Sequence, residues 1–185
     1  MAALNFDPQL LLKAQGMRCA IFDVDGVLTD GRLYIGEQGE TVKAFHVLDG
    51  HGLKLLQRSG ITPLVITGRD SAAVRRRVAD LGLLHAVYGA QDKLAAAEAQ
   101  LAALGVDWAD TAAIGDDWPD LPLLHRAAFS CASANAHAEV RAIVDHVTTQ
   151  RGGHGAAREF CDLLLVASGR YAALLQAETR TLDAR

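Results

Sequence analysis

The chain lacks the features that mark several large classes of protein. It has three cysteines in 185 residues, Cys19, Cys131 and Cys161, far apart and each among apolar neighbours. That spacing matches no zinc site and fits buried free thiols in a reducing compartment. The net charge is −4 and no basic run is long enough to suggest nucleic acid or an anionic membrane surface as a partner. No apolar stretch reaches the roughly 20 residues needed to span a bilayer. The opening MAALNFDPQLLLKAQGMR has no basic start, long apolar core or small-residue cleavage site, so it reads as a short helix or arm rather than a signal peptide. A cytoplasmic protein without a membrane partner is expected. Repeats and low-complexity segments are also absent from the sequence.

What is present is an ordinary globular composition, 50% hydrophobic and 22% charged, enough for one domain over residues 1–185 with a full core. Short apolar runs alternate with helical patterns. Strands are expected at RCAIF (18–22), ITPLVIT (61–67), AVYG (86–89), TAAIG (111–115), AAFSCA (127–132) and HVTT (146–149). Helices are expected at 52–60, 71–82, 92–105, 136–144 and 155–169, with Ser71 as a cap and Gly60 and Gly82 as stops. The tail from about 170 reads as helical or frayed. Repeated βα units with continuously apolar strands predict an α/β fold, a mostly parallel sheet between helices. One segment breaks the alternation: residues 31–50 have strand-like residues on both sides of GEQG, which predicts a β-hairpin flap and not a cap domain.

Ligands of such sheets bind beyond the carboxyl ends of the strands. Four elements end there: Asp23-Val24-Asp25-Gly26; Thr67 and Gly68 in VITGRD; Asp92-Lys93; and Asp116, Asp117 and Asp120 in IGDDWPD. Each alone is weak, since Asp and Gly are common loop formers and a lone Lys is usually solvated. An EF-hand is excluded, because Leu28 stands where its turn glycine is needed and Tyr34 where its bidentate Glu belongs. A Walker loop is excluded because no Gly-Lys-Ser/Thr follows a glycine-rich turn. Taken together, clustered carboxylates, one hydroxyl and one lysine at the edge of a parallel sheet predict a metal and phosphate site.

In these four motifs, DVDGVLTDG, ITGR, Lys93 and GDDWPD, the chain resembles the haloacid dehalogenase (HAD) superfamily of phosphotransferases in order and spacing over about residues 18–165. The resemblance implies a Rossmann-like core, a Mg²⁺ ion and hydrolysis through an aspartyl-phosphate. Asp23 is then the nucleophile and Asp25 the acid and base that serves the leaving group and the attacking water. Asp23, the backbone carbonyl of Asp25, and Asp116 would hold Mg²⁺. Thr67, Gly68 and Lys93 would hold the phosphoryl group, with Arg69 a candidate substrate contact. Asp117 and Asp120 would orient Lys93 or the ion's waters.

The stretches GRLYIGEQGETVKAFHVLDGHGLKLL and TTQRGGHGAAREFCDLLL resemble the cap-less branch that hydrolyses 3-deoxy-D-manno-octulosonate 8-phosphate (KDO 8-phosphate) on the way to lipopolysaccharide. That branch implies a homotetramer whose neighbouring subunits complete each site. Two positions depart from its pattern: Leu48 where a basic residue is expected, and His154 where Arg is expected. Both are expected to help bind the sugar carboxylate in relatives. Alternatives are a nonulosonate 9-phosphate or phosphoserine as substrate, or a non-catalytic oligomerisation module. The Gly152-Gly153-His154-Gly155 loop is either an anion site or a plain turn. His46 and His51 read as structural or rim residues, Arg75-Arg76-Arg77 as a solvated helix face, and Trp108 and Trp118 as packing residues.

Overall fold

The computed structural model describes residues 4–183; residues 1–3 of the expected arm and 184–185 of the expected tail lie outside it. The chain runs through helix α1 (Pro8–Lys13), strand β1 (Cys19–Phe22), and a hairpin of β2 (Tyr34–Gly36) and β3 (Gly39–Val42). Next come α2 (Val47–Ser59), β4 (Thr62–Ile66), α3 (Ala72–Leu81), β5 (His85–Val87) and α4 (Lys93–Leu104). The remainder is β6 (Thr111–Gly115), α5 (Leu121–Arg126), β7 (Phe129–Ala132), α6 (Ala138–Ile143), β8 (His146–Val147), α7 (Ala156–Ala167) and α8 (Tyr171–Asp183).

Among the described residues, six strands form one sheet in the order β5-β4-β1-β6-β7-β8, and every neighbouring pair is parallel. Side chains alternate faces along a strand. Ala20 and Phe22 therefore join one core with α2, α3 and α7, while Cys19 and Ile21 join the other with α4, α5 and α6. Both faces being covered explains why the strands show no polar alternation. The helices α2, α3 and α4 end at Gly60, Gly82 and Gly105, each left-handed at the cap, so glycine punctuates the repeating units. All three cysteines are buried and free, and burial pushes the Cys19 thiol up to about 12. Among the described residues, no single helix is long and apolar enough to cross a membrane.

The chain leaves β1 toward β4 and β5 on one side, then returns to lay β6, β7 and β8 on the other. The switch falls at the carboxyl ends of β1 and β6, where Asp23 and Asp116 follow directly.

Several expectations need correction. The hairpin is shorter than 31–50, because α2 begins at Val47 and takes up Leu48 and Asp49. Val and Leu serve a helix start as well as a strand, so the pattern there is ambiguous. Ser71 is the N-cap residue of α3 as expected, but its side chain makes no cap hydrogen bond; its hydroxyl donates to Glu40 at 2.5 Å instead. Trp118 is 60% exposed, and its indole donates to His137 Nδ1 at 3.1 Å, so it is not a packing residue. Arg77 is only half exposed and lies over the Phe45 ring. Of the two readings left open for the Gly152–Gly155 loop, the plain turn gains support: the Gly152 amide donates to Asn135 Oδ1 at 2.7 Å and the Gly153 amide to the Val27 carbonyl at 3.0 Å, so these two amides are already engaged.

Candidate active site

After β1 the chain makes a wide turn over Val24–Leu28, closed by the Thr29 amide on the Val24 carbonyl at 2.9 Å. Gly26 within it has φ +104°, open to glycine at little cost. Gly152 presses on the turn from the far side, and a methyl group there would lie 1.8 Å from the Gly26 carbonyl oxygen. The first motif is thus clamped between β6 and the loop before α7.

Lys93, the first residue of α4, reaches Asp23 Oδ1 and Asp120 Oδ1, each at 2.6 Å. Asp120 Oδ2 accepts the Asp116 amide at 3.0 Å, which closes the fourth motif on itself, while Lys93 ties that motif to Asp23 of the first. Asp23, Asp116 and Asp120 offer carboxylate oxygens within 4.8 Å of one another. Burial, then the Asp120 charge, push the Asp23 carboxyl up to about 7 despite Lys93. Burial, then Asp23 and Asp120, push Asp116 up to about 8. Burial disfavours the Lys93 ammonium, but Asp23 and Asp120 outweigh it and its pKa is raised. Three carboxylates against one ammonium leave two negative charges, which a divalent cation with oxygen ligands would balance. The donor set fits Mg²⁺.

Thr67 is buried at the end of β4; its hydroxyl accepts the Arg69 amide at 3.3 Å, while Gly68 and Arg69 are exposed beside it. Asp25 points away from the Asp23–Asp116–Asp120 cluster: its Oδ1 pairs with Lys43, and its Oδ2 is 4.0 Å from Arg69 Nε. Of the two residues expected to orient Lys93, Asp120 touches it, and its carboxylate is also part of the metal-competent set. Asp117 does not; it is exposed and caps the short turn Trp118–Asp120.

Sequence reading missed Lys43 and Glu40. Both stand on the hairpin, where a charged residue is ordinarily solvated, and no spacing signalled that the hairpin folds over the motifs. Leu48 and His154 line one cavity of about 570 Å³ together with His46, His146 and Arg158. None of the four residues Asp23, Lys93, Asp116 and Asp120 lines it.

Two aspartates just past central β1, a threonine just past β4, a helix-initial lysine and an acidic loop after β6 make the arrangement of haloacid dehalogenase-like hydrolases, whose sequence profile matches residues 87–160. The 3-deoxy-D-manno-octulosonate 8-phosphate phosphatase of Salmonella typhimurium is 42% identical over 163 residues, 88% of this chain and 87% of its own. The structure of the same phosphatase from Moraxella catarrhalis, in complex with magnesium ion, phosphate ion and KDO, is 40% identical with a TM-score of 0.89, over 93% of this chain and 99% of that one. The cobalt-bound form from Haemophilus influenzae is 43% identical with a TM-score of 0.84, over 86% and 93%. The chain belongs to the 3-deoxy-D-manno-octulosonate 8-phosphate phosphatase family of HAD-like hydrolases.

Proposed function

We propose that this protein is a Mg²⁺-dependent phosphatase acting on KDO 8-phosphate, releasing KDO and inorganic phosphate in lipopolysaccharide precursor synthesis. The observation that carries the reading is the cluster of buried Asp23, Lys93 and Asp120 with half-buried Asp116 at the switch of the sheet. Asp23 attacks phosphorus and forms an aspartyl-phosphate, which divides a very slow hydrolysis into two easier steps. Asp25 gives a proton to the departing sugar oxygen and takes one back from the water that cleaves the acyl-phosphate. Lys93, held by Asp120, lies beside Asp23 and offsets negative charge on the transferring group. Thr67 and the Gly68 amide hold phosphoryl oxygens, and Arg69 meets the substrate. Asp23, Asp116 and the Asp25 backbone carbonyl, with Asp120 beside them, would hold Mg²⁺. When bound it supplies charge neutralisation and orientation of the phosphoryl group.

The chain acts as one domain, and buried free thiols suit the cytoplasm. It assembles as a homotetramer with shared sites. The hairpin leaves Leu33, Tyr34, Ile35 and Val42 exposed, Ile35 by 63%, more apolar surface than a two-stranded hairpin leaves in water.

The grouping of Leu48 and His154 in one cavity favours a second reading, a nonulosonate 9-phosphate as substrate, since the two expected basic residues are missing from the same place. Phosphate release from KDO 8-phosphate, a nonulosonate 9-phosphate and phosphoserine, with and without EDTA, separates these. The expected result is the highest kcat/KM on KDO 8-phosphate, abolished by EDTA. Preference for another ester overturns the substrate, and activity in EDTA overturns the metal requirement.

A further inference from the structure

Lys43 follows β3 on a hairpin whose other side chains mostly face water, yet its own side chain is 0% exposed. A buried ammonium must be paired. It meets Asp25 Oδ1 on one side and Glu40 Oε2, at 3.2 Å, on the other. Glu40 in turn accepts the Ser71 hydroxyl at 2.5 Å and stands 3.4 Å from Arg69 Nη2. The hairpin is thereby tied to the loops that follow β1 and β4.

We propose that Lys43 is the positioning residue for Asp25, with Glu40 as its buttress; the inference rests on the phosphatase reading above. A carboxylate rotates readily about its last torsion. Lys43 fixes it through Oδ1. Oδ2 lies 4.0 Å from Arg69 Nε, beyond hydrogen-bond distance, so it is the oxygen left to meet the leaving group. In the general-acid step of the phosphatase reading, as the Asp23–phosphorus bond forms and the bond from phosphorus to the sugar oxygen breaks, Oδ2 is the atom from which Asp25 delivers the proton to that oxygen. Lys43 touches Asp25 and not the reacting atoms, so its contribution is geometric, and it depends on the hairpin remaining folded over the site.

The test compares esters that differ in their need for that proton. An alkyl phosphate such as KDO 8-phosphate must have its leaving oxygen protonated, whereas p-nitrophenyl phosphate departs as a stable phenolate. The parameter is kcat/KM, which reports the steps through departure of the alcohol or phenol and excludes the later hydrolysis. In Mg²⁺-loaded Lys43→Met, kcat/KM for KDO 8-phosphate should fall by about 100-fold, the cost of a misplaced catalytic group, and that for p-nitrophenyl phosphate far less. Lys43→Arg should restore most of the loss. Glu40→Gln, which leaves Lys43 in place but loosens it, should show a weaker loss with the same selectivity. It also serves as the second variant should Lys43→Met fail to fold on thermal unfolding. An equal loss on both esters, or none on either, overturns the proposal. Should the wild type ignore KDO 8-phosphate but hydrolyse another alkyl ester, such as glucose 6-phosphate, the substrate reading fails. The Lys43 comparison is then decided by that ester against p-nitrophenyl phosphate.

Discussion

Gly26 faces the carboxylate of Asp116 so closely that a methyl group on its α-carbon would lie 2.0 Å from Asp116 Oδ2. The glycine of the first motif is therefore fixed by the fourth motif, far later in the chain, as well as by its own φ of +104°. Gly26→Ala should cost about 1–3 kcal/mol of stability through backbone strain. It should lower phosphatase activity by about 100-fold or more through displacement of Asp116. Urea unfolding and phosphate release measure the two effects, and a near-normal kcat would show that the contact is not needed for catalysis.

Asp23→Asn separates stability from function. The amide oxygen can still accept from Lys93, but a neutral amide cannot attack phosphorus. Turnover should fall by about three orders of magnitude or more. Removing buried Asp23 from three mutually repelling carboxylates should also make the metal-free protein more stable near pH 8, on the order of 1–3 kcal/mol. Thermal unfolding in EDTA provides the comparison, and a large drop in stability would contradict the repulsion described here.

The same groups set a pH dependence. Burial and mutual repulsion push the Asp23 and Asp116 carboxyls up to about 7 and about 8, against 3.8 for an unperturbed aspartate. Between those values the native state binds more protons than the unfolded one, so stability of the metal-free protein should fall as pH rises through this window. Added Mg²⁺ binds the ionised carboxylates, so it should raise Tm more at about pH 8 than at about pH 5. An equal Mg²⁺ effect at both pH values would argue against this cluster as the metal site.

The exposed apolar hairpin predicts shared sites. Inactive Asp23→Asn is to be mixed with a second inactive variant that has charged substitutions on the exposed apolar face of the hairpin, with Lys43 and Glu40 left intact, and still assembles. Co-assembled mixtures should regain activity, because some sites combine an intact nucleophile with an intact neighbouring hairpin. A fully active monomer on ultracentrifugation would dispose of the idea.

Much of this was legible in the sequence because it is local. Apolar runs of five residues and glycine stops report the intrinsic preferences of the chain, and the βα alternation places Asp23, Thr67, Lys93 and Asp116 at one edge of a parallel sheet. The start of α2 at Val47 was not legible, since Val-Leu serves either a strand or a helix and packing decides between them. The position of Asp120 on Lys93, and of Asp117 away from it, depends on how one short turn is capped. The cover of Lys43 and Glu40 over Asp25 and Arg69 is wholly tertiary. A hairpin's sequence sets its turn and its register, but where it folds back onto the domain depends on which buried charges elsewhere need partners.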